Sequence, residues 1–415
     1  MRTSALSTPS SNNSRAGLAY CDAGGAIYYD AAIMPLADSG IVREAFAQEL
    51  IPAPPGTLEM VLPGRAPLTA IGPLGDRTAL AVALPAGYTR LLLPAYASRR
   101  AAPALPLFGY TFACAVEDRL YVGAMRTDES EDWRPRSFGA GELEGRIDRR
   151  LARDPHNRVL RQVALCARKY ACFTAQNVFL ERGEAALPVS PRCNARCIGC
   201  ISEQEAGSGV PSPQSRVTEE AAAKELAVVA LYHLERVEDA IVSFGQGCEG
   251  EPLLRSLTIA RAIELIRAQR TNGTINLNTN GSRPKELRRC IEAGLNAVRV
   301  SLNSFRPRAY AAYYRPIGYG LDDVFESIAL AASSGLRVSL NLLTHPGVTD
   351  EEAEVEAMEA FLAAVGVAMV QTRTLNIDPA TYFEAVGRPS SPLGMRVAIE
   401  RMRRLTRVGN FTHTH

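Results

Sequence analysis

Lysine is nearly absent. Only Lys169, Lys224 and Lys285 carry an ammonium, 3 of the 46 basic residues in a chain of 415. Such a bias matches a GC-rich genome, so the many arginines are not in themselves a sign of nucleic acid. The net charge of +2 demands no polyanionic partner. Cysteine is also scarce: nine residues in a chain this long cannot form a disulfide scaffold. Long apolar runs are missing. The greasiest stretch, Leu80 to Tyr96, is interrupted by Pro85, Gly87, Arg90 and Pro94, whereas a spanning helix needs about 20 apolar residues in a row. Met1 to Arg15 is rich in Ser and Asn and lacks the apolar segment of an export signal. It reads as a disordered tail. These absences predict a cytoplasmic protein with no membrane partner, where thiols stay reduced and clustered cysteines point to metal. With 47% hydrophobic and 22% charged residues, the composition is that of an ordinary globular chain.

Two textures divide the rest. Residues 16–180 hold short apolar runs broken by proline, with ten of the 26 prolines between Pro52 and Pro106. Phe108–Val116 and Leu120–Met125 flank Glu117-Asp118 and predict a hairpin. Helical patterns follow over about 141–153 and 157–180. This is a β-rich α+β N-terminal domain, a candidate lid or substrate-recognition unit. From residue 184 to about 380, strand-like runs alternate with amphipathic helices six times, with strands expected at 185–190, 240–245, 274–279, 297–302, 337–343 and 368–374. Gly294, Gly335 and Gly366 fall where left-handed helix C-caps belong, and Thr349 with Glu352 fits a capping box. Strict alternation predicts a parallel sheet. Six units are fewer than the eight of a closed barrel, so the fold class is α/β, a partial (β/α)6 barrel whose chemistry sits at the C-terminal strand ends. Residues 381–415 read as a helical extension.

Just past the first expected strand comes Cys193-Asn-Ala-Arg-Cys197-Ile-Gly-Cys200. Three thiolates on one loop suit zinc or an iron–sulfur cluster. A closed zinc site needs four ligands, and no fourth Cys or His lies nearby, although a distant ligand would make this a structural zinc knuckle. Three thiolates on a [4Fe–4S] cluster, which ordinarily takes four cysteines, leave one iron open for another ligand.

The Cys-x3-Cys-x2-Cys spacing after the first barrel strand resembles the radical SAM superfamily, and the next three strand ends carry the resemblance further. Gly250-Glu251-Pro252 is similar to the family's Gly-Gly-Glu-Pro stretch, and Asn278-Thr279-Asn280-Gly281 to its Thr-Asn-Gly signature. Ser301-Leu-Asn303-Ser304 stands where the family places a polar side chain. Tyr314-Arg-Pro-x-Gly318-Tyr319 resembles the segment that follows. The resemblance implies a [4Fe–4S] cluster on Cys193, Cys197 and Cys200, with S-adenosylmethionine bound near Gly250, Glu251, Thr279, Asn280, Ser301 and Asn303. It implies reductive cleavage of S-adenosylmethionine to a 5′-deoxyadenosyl radical, hydrogen abstraction from an unknown substrate, and an electron donor such as flavodoxin or ferredoxin. The alternative is a non-catalytic iron–sulfur or zinc protein with an electron-transfer or structural role.

Two positions depart from the family pattern. Gly199 replaces the aromatic residue that packs on adenine, which predicts that Gly199→Phe is tolerated. Glu249 replaces the first Gly of Gly-Gly-Glu. Whether Cys248, His345 or Arg373 acts in catalysis is open, as is the role of Asn376 and Asp378 near the sixth strand end. Cys166 and Cys172 lie on different faces of an expected helix, and Cys21, Cys114 and Cys290 read as core. His413 and His415 read as a frayed tail. No cysteine lies beyond residue 290, and no Asp-x-His-x-x-Gly motif marks a cobalamin site. Peptide, RNA base and small metabolite all remain open as substrates.

Overall fold

The computed structural model describes residues 16–22, 24–128, 140–374 and 377–410. The expected tail over 1–15, Asn376, His413 and His415 lie outside the described residues. The first region builds an eight-stranded sheet. Its main path runs through strands Tyr88–Arg90, Arg119–Arg126, Ala113–Val116, Gly17–Cys21, Thr78–Ala83 and Leu58–Val61. The expected hairpin closes with Val116 opposite Arg119. Glu117 and Asp118 both take positive φ, 50° and 58°, the pair of left-handed residues that a two-residue hairpin turn matching strand twist needs. The expected helix over 157–180 is two helices, Arg158–Lys169 and Phe173–Leu180. The chain turns between them at Ala171, where φ is 48°. The second of these packs directly against the first barrel strand.

The second region is an all-parallel sheet of seven strands in sequence order: β1 (Glu184–Leu187), β2 (Ile241–Phe244), β3 (Thr274–Thr279), β4 (Ala297–Leu302), β5 (Arg337–Thr344), β6 (Met369–Thr374) and β7 (Arg407–Gly409). β1 and β7 are not paired, so the barrel stays open. The segment read as a helical extension holds helix Met395–Arg403 and then β7. Three residues ending in glycine are too short for an alternation pattern to reveal. Gly294 and Gly335 take φ of 111° and 77° between helix and strand. Gly366 does not take a left-handed conformation: helix Glu352–Ala364 ends instead on extended Val365. Nor does Thr349 cap that helix. Glu351 is its N-cap, and the Thr349 hydroxyl accepts the His345 backbone N–H at 2.9 Å.

The strands position the site through their two faces. Parallel strands covered by helices on one side and core on the other usually read as continuous apolar runs. Here only the outward face does: Val242, Ile275, Leu277, Val298, Val300, Leu340 and Val370 are buried under the helices. The inward face is polar. Glu184, Asn278, Arg299, Ser301, Asn341 and Arg373 line a cavity inside the sheet. The N-terminal region docks across β5, β6 and the segment after them. Arg65 pairs with Asp378 at 2.9 Å, and the Tyr96 hydroxyl donates to the same carboxylate at 3.0 Å. Thr89 and Thr372 share a 2.6 Å hydroxyl contact, and Arg90 donates to the Thr344 carbonyl at 3.3 Å. No described helix is long and apolar enough to cross a membrane.

Candidate active site

The C-terminal strand ends open into a cavity of about 620 Å³, within the usual range for a small-molecule site. Cys193, Cys197 and Cys200 all line it. Their loop is held from two sides. On one side it forms a short antiparallel contact with the segment after β4: Arg196 N–H donates to the Tyr314 carbonyl at 3.0 Å, Ile198 N–H to that of Tyr313 at 3.1 Å, and Ile317 N–H to that of Asn194 at 2.9 Å. On the other side Gly250 fits under the loop, where a Cβ would stand 2.0 Å from the Arg192 carbonyl oxygen. Only glycine allows that approach.

Burial pushes the Cys193 thiol up to about 11 and the Cys197 thiol well above its ordinary value; Glu251 adds to the first and the neighbouring thiols to both. A soft metal that deprotonates them has three ligands ready on one wall. Among the described residues no group of three or more His, Cys, Asp or Glu side chains converges to enclose a single metal ion. The three thiols border a shared space instead. Around it the donor set fits the [4Fe–4S] group: three soft ligands on one loop, with the rest of the cavity left for a ligand on an open iron.

Glu249, the second departure, has a structural task. Its carboxylate accepts four backbone N–H groups: Val189 and Ser190 at 2.7 Å each, Gly245 at 2.9 Å and Gln246 at 2.7 Å. It brackets the end of β1 to the loop after β2. Burial nevertheless lifts its pKa to about 7 against the opposing pull of those bonds. Glu251 does the same one loop further. It accepts from Leu253 N–H at 2.9 Å, Asn280 N–H at 2.8 Å and the Thr279 hydroxyl. Burial lifts it to about 7 as well. A carboxylate has about four lone-pair sites. Three are taken, which leaves one for a ligand cation such as an ammonium. Asn280 reaches Asn194 at 2.9 Å, so the expected residues Glu251, Thr279 and Asn280 form one network with the cysteine loop.

Ser301 lines the cavity. Asn303 does not. β4 ends at Leu302, so the alternation that would turn both side chains inward stops one residue short. Asn303 is fully buried and its amide donates to the Ala309 carbonyl at 3.1 Å and the Tyr382 hydroxyl at 3.0 Å. Its expected cofactor role is therefore corrected to a packing role. The expected tolerance of a ring at Gly199 is corrected too: an added Cβ would meet the Tyr313 hydroxyl at 2.8 Å. Tyr313 is itself wedged edge-on against Tyr314 and Tyr382, at 4.9 and 5.8 Å between ring centres. It occupies the space an aromatic at 199 would need.

His345 is fully buried beside Tyr382 and Phe383, away from the cavity, and burial holds its pKa well below the ordinary range. Cys248 is buried behind the rim. Contact with the Cys166 thiol and burial both push its own thiol up, while Cys172 reaches the cavity wall. Asp378 belongs to the contact between the two regions. Among the described residues of the sixth-strand group, Arg373 faces the cavity, and burial lowers its pKa to about 10. Sequence reasoning missed Asn194, Tyr313, Glu184, Arg299 and Asn341. The period-two run of polar residues in β3, β4 and β5 was the signal that would have found the last two.

An open parallel α/β barrel with a three-cysteine loop at its mouth is the class these features define. Residues 187–358 match the family model of the radical SAM superfamily. Such a domain implies a [4Fe–4S] cluster and S-adenosylmethionine. Among curated proteins, the chain is 32% identical over 174 residues to a GTP 3′,8-cyclase of Peptoclostridium acidaminophilum, covering 40% of this chain and 48% of that one. It is 29% identical over 173 residues to a probable GTP 3′,8-cyclase of Methanocella arvoryzae, covering 40% and 50%. The chain thus spans about half the length of the curated relatives it matches. Among solved structures, a radical SAM methyltransferase from Sphaerobacter thermophilus aligns at 16% identity over 56% of this chain and 67% of that one, with a TM-score of 0.39.

Proposed function

We propose that the protein is an enzyme that reductively cleaves S-adenosylmethionine at a [4Fe–4S] cluster held by Cys193, Cys197 and Cys200, and abstracts hydrogen from a bound substrate. The observation that carries this reading is the convergence of those thiols with the Glu251–Thr279–Asn280 network on one cavity. The cluster and S-adenosylmethionine together supply a 5′-deoxyadenosyl radical, chemistry that protein side chains lack. The chain's own residues hold and orient. The spare acceptor site of Glu251 takes the methionine ammonium, Ser301 contributes a hydroxyl, and Glu249 and Gly250 fix the loop against which both ligands rest. The N-terminal region serves as a lid: Ala86 and the start of helix Phe173–Leu180 border the cavity along the open edge of the barrel. A reduced flavodoxin or ferredoxin in the cytoplasm supplies the electron. The matched relatives are named for a reaction of GTP, which makes GTP the first substrate to try.

The test is anaerobic reconstitution. About four irons and four sulfides per chain and an EPR signal of the reduced cluster that shifts when S-adenosylmethionine is added are the expected results. Stoichiometric zinc without iron, or an EPR signal indifferent to S-adenosylmethionine, would favour the electron-transfer or structural alternative and end this reading.

A further inference from the structure

The two strand arginines that line the cavity, on β4 and β6, stand in different electrostatic situations. Arg299 is neutralised: it pairs with Glu184 at 3.0 Å and also donates to Asn278 Oδ1 at 2.9 Å. Arg373 has no ion-pair partner among the described residues. Its Nε donates to Asn341 Oδ1 at 3.2 Å, one Nη to the Asn410 backbone carbonyl at 3.0 Å, and the other Nη to Gln371 Oε1. All three acceptors are neutral. They fix the plane of the guanidinium without cancelling its charge, and they use three of its five N–H donors. The two carboxylates whose charge acts on Arg373 from a distance, Glu184 and Asp128, form no ion pair with it among the described residues. Glu184 belongs to Arg299, and Asp128 stands behind Asn410, accepting its backbone N–H at 2.6 Å and the Thr127 hydroxyl at 3.0 Å.

A cation kept from water without a counter-ion is costly. Here the cation lines the cavity and is held rigid, with two N–H groups unspent. Asn341 lines the same wall and its amide nitrogen donates to nothing among the described residues. A fixed planar fork is the arrangement that suits two oxygens of a carboxylate or phosphate. Arg373 lies on β6, across the cavity from the loops after β1, β2 and β3 assigned above to cluster and cofactor.

We propose that the substrate carries an oxyanion, a carboxylate or a phosphate, which Arg373 receives with Asn341 beside it. This deepens the proposed function by naming a substrate class, and rests on that reading only for the identity of the cavity as a substrate chamber.

The test uses the anaerobically reconstituted protein and two probes, malonate and inorganic phosphate, titrated at constant ionic strength against chloride and followed by calorimetry and melting temperature. Both measurements are expected to show saturable binding to the wild-type chain. Tighter binding of malonate assigns a carboxylate, and tighter binding of phosphate a phosphate. Arg373→Gln is expected to weaken binding at least tenfold. Arg373→Lys, which keeps the charge and loses the fork, should fall between, and serves alone if the glutamine variant does not fold. Absence of binding beyond that of chloride overturns the proposal, as does equal binding by the variants. A tenfold loss of S-adenosylmethionine binding in Arg373→Gln with anion binding unchanged also overturns it, because Arg373 would then serve the cofactor's own carboxylate. Iron content separates the two readings: Arg373-dependent anion binding by a chain that assembles no cluster sinks the proposed function and leaves this inference standing.

Discussion

The two walls of the cavity are built differently. On the wall formed by the ends of β1, β2 and β3, polar groups bind one another: Glu249 holds four backbone N–H groups, Glu251 joins Thr279 and Asn280, and Asn280 reaches Asn194. On the wall formed by β4, β5 and β6, Ser301, Asn341 and Arg373 face the cavity with donors to spare. The first wall is a frame whose polar groups are mostly spent on structure, with one acceptor site of Glu251 left over. The second is a surface whose polar groups await a ligand. Buried polar groups are normally satisfied within the protein, so the unsatisfied wall is the one whose partner comes from outside.

Substitutions can break this contrast. The largest effect is expected from Cys197→Ala on the framed wall. Two thiolates do not hold a [4Fe–4S] cluster, so iron after reconstitution should fall from about four per chain to near zero, as measured by metal analysis. Retention of a full cluster would mean that other residues supply its ligands.

Next comes Glu249→Ala. Four backbone N–H groups would lose a carboxylate acceptor in the interior, at a cost of about 3–5 kcal/mol in denaturant unfolding, with Glu249→Gln between it and the wild type. A cost under about 1 kcal/mol would show that this wall is not a frame.

Gly199→Phe should weaken S-adenosylmethionine binding more than tenfold, about 1.4 kcal/mol, because Tyr313 already fills the space. Adding Tyr313→Ala should recover much of the loss. If the single variant binds normally, the cysteine loop is more yielding than the 2.8 Å approach suggests.

The smallest effects sharpen the contrast most. Ser301→Ala should raise the S-adenosylmethionine dissociation constant by about 0.5–1.5 kcal/mol and leave iron content and melting temperature unchanged. Asn303→Ala, two residues on, should do the reverse and lower stability by about 1–2 kcal/mol without touching affinity. Calorimetry and thermal melts on the pair check both. Identical behaviour would place the two side chains on the same face after all.

Alternating apolar runs and their glycine stops were enough to place six parallel strands, two of them, Thr274–Thr279 and Ala297–Leu302, with their full bounds. Period-two burial and helix C-caps are local effects written in consecutive residues. The cysteine loop and Gly250-Glu251 were legible for the same reason, since each motif sits within one short segment. What the sequence could not show depends on chain direction in space. Whether Asn303 faces the cavity turned on where β4 stopped, one residue earlier. Whether Gly199 had room for a ring turned on Tyr313, more than a hundred residues away. The tasks of Glu249 and Arg373 depended on which groups from other strands stood opposite them. One carboxylate met four N–H groups and became structure, while one guanidinium found only neutral hydrogen-bond acceptors among the described residues. Hydrogen-bond satisfaction is a property of the assembled neighbourhood, and only the tertiary structure decides it.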